Sequence, residues 1–184
     1  MDGGVLMNQA CHHVDMLQWM MGEVDSVFAM GKTSLVNIEV EDTAIVSLKF
    51  KNGALGLIEA TTATRPKDLE GSISILGEKG TVEIGGFAVN KLKTWNFIEE
   101  KIESELDLEK YSTNPPNVYG YGHKAYYDHV VAKLNKNNSL FVDGNEGINS
   151  IILLNAIYKS IFTRKEVKVN SKITHNVFED TIIA

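Results

Sequence analysis

Asp42-Thr43-Ala44-Ile45-Val46-Ser47-Leu48-Lys49-Phe50-Lys51-Asn52-Gly53-Ala54-Leu55 is the stretch that decides the fold. Ala44, Val46, Leu48 and Phe50 fall on one side of an extended chain, with Thr43, Ser47 and Lys49 on the other. That period of two is a half-buried strand. Asn52-Gly53 then supplies the positive φ angles of a tight hairpin turn, and Leu55 to Thr64 returns antiparallel. An antiparallel sheet is therefore the centre from which the chain is read.

Outward from this hairpin, Val24 to Met30 is a preceding strand, and Ser72 to Leu76 and Thr81 to Ile84 flank the tight turn Gly77-Glu78-Lys79-Gly80. Lys91 to Phe97 follows. From Lys101 to Glu109 apolar and charged residues alternate, which predicts a strand with an acidic, solvated face that also guards an edge. Residues 111–118 contain Pro115 and Pro116 and read as a connecting loop. A helix is expected from Tyr121 to about Asn135, with Tyr126, Val130 and Leu134 in register. A second begins at Asp143, with Glu146 three residues on as in a capping box, and runs to about Phe162. Val167 to Val169 adds a last strand.

The fold class expected is α+β: an open, mostly antiparallel sheet of about six strands with helices on one face, forming a single domain over residues 1–184. Apolar outward positions, Ile45 and Ile58 among them, predict that a second subunit packs on the other face. The chain also starts almost inside a helix, which is expected of the C-terminal piece of a longer protein.

With 184 residues, 43% hydrophobic and 23% charged, the chain is long enough to bury a core. Its net charge of −6 argues against a nucleic-acid partner or an anionic membrane surface. No apolar run approaches a membrane span, and a cytoplasmic protein is expected. Cys11 is the one cysteine, so no internal disulfide forms.

Chemistry is sought on the first helical segment, Gly3 to Gly22, with Gly22 as its αL stop. It is largely apolar, yet Asn8, His12 and Asp15 recur at i, i+4 and i+7 and share one face. An imidazole titrates near neutrality and suits proton exchange with an alcohol. Asp15 is placed to fix its tautomer, and Asn8 to orient substrate or ring. The plainer reading is a core histidine with satisfied hydrogen bonds. His12 and Asp15 would give a metal two ligands, but no His or Cys elsewhere has the spacing to complete a site. Cys11 and His12 point about 100° apart and make no dyad. Arg65, at a strand end before Pro66, is a candidate for holding a phosphate or carboxylate, against the plainer reading of a solvated turn arginine. Gly120-Tyr121-Gly122-His123-Lys124-Ala125 fits the letters of a dinucleotide fingerprint, but no buried strand precedes it and no βαβ unit follows. His123 is read instead as an exposed residue near a substrate or subunit contact.

Taken together, three places resemble the C-terminal, dihydrodipicolinate-reductase-like domain of the Gfo/Idh/MocA oxidoreductase family. They are Gly3-Gly4 through His12-His13-Val14-Asp15 with Trp19 and Gly22; the hairpin segments Glu41-Asp42-Thr43-Ala44, Asn52 to Gly56 and Gly77 to Thr81; and Gly122-His123 through Asp128 with Asp143-Gly144 and Ala156 to Ser160. The resemblance implies an NAD(P)-dependent dehydrogenase acting on a sugar or cyclitol hydroxyl, with His12 beside the hydroxyl being oxidised and a lysine supplied by the preceding Rossmann domain. Many members carry Asp four residues before the histidine. Asn8 stands there in this chain and cannot act as a base. The Asn8-Gln9 variant is similar to the branch that oxidises nucleotide-linked sugar acids such as UDP-N-acetylglucosaminuronic acid. Asn8, Asp15, Arg65 and His123 are then substrate-binding candidates and His12 the catalytic one. No dinucleotide fold is read in the chain, so NAD or NADP would be bound by the N-terminal domain, and the isolated chain is expected to be inactive. The competing reading is a non-catalytic binding or dimerisation module.

Overall fold

A computed structural model of the chain describes residues 3–86, 89–99, 109, 112–114, 122–135 and 143–169. Its elements run α1 (Val5–Asn8), α2 (Cys11–Met21), β1 (Val24–Lys32), β2 (Thr43–Phe50), β3 (Leu55–Thr61), β4 (Ile73–Leu76), β5 (Gly80–Gly85), β6 (Lys91–Phe97), α3 (Gly122–Leu134), α4 (Gly144–Thr163) and β7 (Val167–Lys168). The α+β class stands, and β6 falls where the sequence put it. The chain divides into two compact units, residues 1–67 with 143–184 and residues 68–142. The strand expected over 101–109 lies, Glu109 excepted, outside the described residues, as do Pro115, Pro116, Gly120 and Tyr121.

The first unit holds a four-stranded antiparallel sheet in the order β3-β2-β1-β7. The central hairpin forms as read. Gly53 sits at φ 92° and donates its N–H to Phe50 O at 3.0 Å, and Asn52 Oδ1 accepts from Ala54 N at 3.0 Å. Ala44, Val46, Leu48 and Phe50 are buried with Val27 and Ala29 of β1 and Ile58 and Ala60 of β3. Against them pack Val5 and Leu6 of α1, Ala10 and Val14 of α2, and Leu153, Leu154, Ala156, Ile157 and Tyr158 of α4. Ser160 of α4 is fully buried and ties the layers together. Its Oγ accepts from Ala29 N at 2.9 Å, just past the last residue of β1 that pairs with β7, and donates to Lys165 O at 2.6 Å. Asp143 caps α4 as expected, its carboxylate accepting from Asn145 N and Glu146 N.

The opposite face of this sheet presents Phe28, Met30, Ile45, Leu55 and Leu57 to solvent. Ile45 was expected there, but Ile58 was not correctly placed. Ile58 pairs with Val46 and Leu57 with Ser47, so strand parity turns Ile58 into the core and leaves Leu57 outside.

Two further corrections concern how the elements join. The strands make two sheets, not one of about six. After β3, Thr62 N still bonds across to Asp42 O at 2.8 Å, Ala63 N turns back onto the Thr61 Oγ1 at 3.0 Å, and Pro66 has no N–H to pair. β4, β5 and β6 then form an antiparallel meander of their own in the second unit. There Lys93 pairs with Glu70 and Glu83, and the Trp95 and Phe97 rings lie 5.0 Å apart. α3 belongs to that unit, carries Tyr126, Val130 and Leu134 in register, and has no buried residue.

The first helix, expected to run unbroken to Gly22, is also interrupted. Gln9 N and Ala10 N both return to Val5 O, at 3.0 and 2.8 Å, which breaks the ladder between α1 and α2. Gly22 ends α2 at φ 87°, ψ −164°, a positive-φ stop outside the αL region.

Candidate active site helix

The site is built on the α1–α2 segment of the first unit. One side of it is anchored, since Val5, Leu6, Ala10 and Val14 are buried in the core. On the other side Asn8, His12, Asp15 and Trp19 follow one another and all are exposed. The stripe read from the sequence therefore survives the break at Gln9–Ala10, because both of those residues keep right-handed angles. It differs in one respect: water solvates these polar groups, so no desolvation cost demands that they pair. His12 and Asp15 make no hydrogen bond to each other. Cys11, adjacent to His12, donates its Sγ–H back to Asn8 O at 3.4 Å and so bridges the break.

Trp19 is 82% exposed, the largest apolar surface on this helix face. His13 turns the other way. It is half-buried and its Nε2 has no hydrogen-bond partner. Burial and, second, the neighbouring His12 push its pKa below the ordinary imidazole value.

Behind the helix stand two acids that the sequence reading passed over as site residues. Glu41 is buried and holds the start of α1: its backbone O accepts from Val5 N at 3.0 Å, and its Oε1 accepts from Leu6 N at 3.0 Å and from the Tyr158 hydroxyl at 3.0 Å. Asp42, with no exposed surface, accepts from Ser34 N, Leu35 N and Val36 N at 2.9, 2.6 and 3.0 Å and from the Thr43 hydroxyl at 3.0 Å. The N–H groups of Val36 and Leu35 above all hold its carboxyl far below the usual carboxylate range, against the opposing effect of burial. Adjacent acids ahead of a strand signal neither job, since the partners are set by tertiary packing.

Arg65 is exposed beyond β3, and its Nη1 donates to Thr64 O at 2.6 Å, so it makes no bond to the stripe. His123 is exposed in the first turn of α3, in the second unit. Among the described residues no group of three or more His, Cys, Asp or Glu is arranged to hold a metal, and no helix is long and apolar enough to cross a membrane. A dinucleotide needs a glycine-rich turn from a strand into a helix within a parallel βαβ unit. Every strand pair here is antiparallel, and α2 is entered through Gln9–Ala10 rather than from a strand. The described residues do not fit that cofactor.

Comparison with known proteins agrees with this fold. The WlbA dehydrogenase of Bordetella pertussis, solved in complex with NADH and UDP-GlcNAcA, is 43% identical with a TM-score of 0.85, over 93% of this chain and 49% of its own. The WlbA dehydrogenase of Chromobacterium violaceum, also solved with NADH and UDP-GlcNAcA, is 44% identical with a TM-score of 0.82, over 92% of this chain and 47% of its own. The myo-inositol 2-dehydrogenase of Thermotoga maritima is 37% identical over 86 residues, which are 44% of this chain and 25% of that protein. The chain thus spans about half the length of the solved relatives and aligns with about a quarter of the curated one. Residues 1–169 match the C-terminal alpha/beta domain of the oxidoreductase family known as Gfo/Idh/MocA, and to that family, as that domain, the chain belongs.

Proposed function

We propose that this chain is the substrate side of an NAD(P)-dependent dehydrogenase that oxidises a hydroxyl of a nucleotide-linked sugar acid of the UDP-GlcNAcA kind. The observation that carries the reading is the exposed imidazole of His12, on a helix whose opposite face is locked into the core. A ring so placed is free to meet a substrate, and the backbone that carries it is held by the core. Oxidation of an alcohol to a carbonyl would pass the C–H hydride to the nicotinamide and release the hydroxyl proton, which the His12 imidazole takes; in the reverse direction the imidazolium returns it. Asn8 and Asp15, on either side along the same face, hydrogen-bond the sugar. Asn8 donates and accepts without titrating, so the acid–base step rests on His12 within this chain. The reading gives no role to Arg65 or His123.

The substrate class is supported by identity above 40% over nearly the whole chain to two enzymes solved with UDP-GlcNAcA. NAD or NADP is assigned to the part of the enzyme that carries a dinucleotide fold, since the residues described here do not fit it. Self-association through the open face of the first sheet belongs to the same proposal.

The test joins this chain to its nucleotide-binding half and follows nicotinamide reduction with UDP-GlcNAcA. Turnover is expected with the sugar acid, and His12→Ala is expected to lower kcat by roughly 10²–10⁴-fold, the usual worth of a general base, with an unchanged circular dichroism spectrum. Full turnover in His12→Ala removes the catalytic assignment. Tight, saturable NAD binding by this chain alone removes the division of labour.

A further inference from the structure

Every short helix must satisfy its first N–H groups, and the common solution is a Ser, Thr, Asp or Asn at the N-cap. α1 does otherwise. Its N-cap is Gly4, which offers no side chain. The first two N–H groups, of Val5 and Leu6, end instead on Glu41, one on its backbone O and one on Oε1. A local cap would fasten the helix only to itself. This remote cap fastens it to the sheet, because Glu41 stands two residues before β2 begins at Thr43. The same Oε1 accepts from Tyr158 of α4, so Glu41, just ahead of β2, joins α1 and α4.

The fit is close on every side. Glu41 and Tyr158 are 7% and 8% exposed, so both side chains are largely shielded from solvent. A Cβ on Gly4 would overlap the Glu41 carboxylate, so glycine at this position is what admits the remote cap. Burial, with the Glu41 charge and hydrogen bond, keeps the Tyr158 hydroxyl protonated far above the ordinary phenol range, and it remains a donor. From Leu6 the chain reaches Asn8 within the same turn, and the Cys11 Sγ–H bond to Asn8 O carries the constraint across the break into α2.

We propose that Glu41 and Tyr158 are positioning residues for His12: by fixing the first turn of α1 against β2 and α4 they set where the α1–α2 stripe, and with it the imidazole, meets the substrate. This rests on the reading of His12 as the acid–base residue. Neither side chain reaches the exposed face, so their effect passes through the backbone.

The experiment uses the complete enzyme with UDP-GlcNAcA. Tyr158→Phe keeps the ring and removes only the hydroxyl. Its kcat is expected to fall tenfold or more, in keeping with the steep cost of misplacing a catalytic group, while KM stays within about twofold. Glu41→Gln retains an acceptor oxygen for both donors and is expected to keep more of the activity than Glu41→Ala. Ser160→Ala serves as the control, since it removes one buried and one partly buried hydrogen bond from the same helix with no link to α1; it should lower Tm and leave kcat intact. In this chain itself, Tyr158→Phe should move the amide NMR shifts from Leu6 to His12 and leave those of Lys91 to Phe97 in place. A folded Tyr158→Phe enzyme with full kcat and unmoved shifts, beside an inactive His12→Ala, overturns the positioning role alone. An equal loss of kcat in Ser160→Ala overturns it too, as a general effect of instability. Turnover that survives His12→Ala overturns the reading beneath it, and this proposal with it.

Discussion

His13 ties this fold to pH. Its lowered pKa means the folded state favours the neutral ring, so between the folded value and the ordinary 6.5 the unfolded chain binds more protons. The stability it contributes is present above 6.5 and is lost as pH falls through the folded value. The expected result is a Tm that drops on going from pH 7.5 to 5 by more in the wild-type chain than in His13→Gln, measured by calorimetry at both pH values. Parallel drops in the two proteins would remove His13 from that account. His13 and its neighbour His12 also mark what a single sequence can tell about side chains. Helical spacing put His12 on a shared face with Asn8 and Asp15, and the structure keeps it there, exposed. Spacing says nothing of Glu41 and Tyr158, whose contact joins positions 117 residues apart. Such a pair is created by the stacking of α4 on the sheet, and neither residue carries a local pattern that reveals it.

Elements were legible in proportion to how far local periodicity decided them. The β2–β3 hairpin has its alternation and its Asn52-Gly53 turn in adjacent residues, so both register and faces followed, apart from the parity of Ile58. The break between α1 and α2 left no such trace, because Gln9 and Ala10 are ordinary helix residues with right-handed angles and only the hydrogen bonds to Val5 O depart from the ladder. The loop between β1 and β2 was equally silent. Its Leu35 and Val36 are exposed apolar residues with no turn signature, held in place by the carboxylate of Asp42. Because the folded pKa of Asp42 is depressed, its contribution is present above the ordinary carboxylate value and lost as pH falls toward the folded one. Asp42→Asn is expected to raise amide hydrogen exchange at Ser34, Leu35 and Val36 by at least tenfold at neutral pH, since an amide oxygen is a weaker acceptor than the carboxylate and brings donors with no role there. Protection unchanged at those three amides would show that the loop holds itself.

At the scale of the molecule, the first sheet is covered on one side and open on the other, and the open side sets large apolar residues among Ser47, Lys49 and Glu59. Leu55 and Leu57 are 80% and 65% exposed, Met30 60%, with Phe28 and Ile45 beside them. The pairings Met30↔Ile45 and Phe28↔Ser47↔Leu57 bring apolar side chains near one another across three strands, interleaved with Ser47 and with Glu59 and Lys49 opposite Ile45 and Leu55. Exposed apolar surface of this kind marks an interface, and the simplest partner for a flat sheet face is the same face of a second copy related by a two-fold axis. A dimer built through this face would keep its two stripes away from the contact, because α1 and α2 pack on the covered side of the sheet. The expected mass of the purified chain, by light scattering at micromolar concentration, is at least that of a dimer. Met30→Glu with Leu57→Lys should return it to a monomer without loss of circular dichroism, since neither side chain belongs to the core. Charges placed at those two positions cost nothing in a solvated monomer but a great deal in a dry contact. A wild-type chain that is monomeric at that concentration, or a double variant whose mass does not change, would mean that this face meets something other than its own copy.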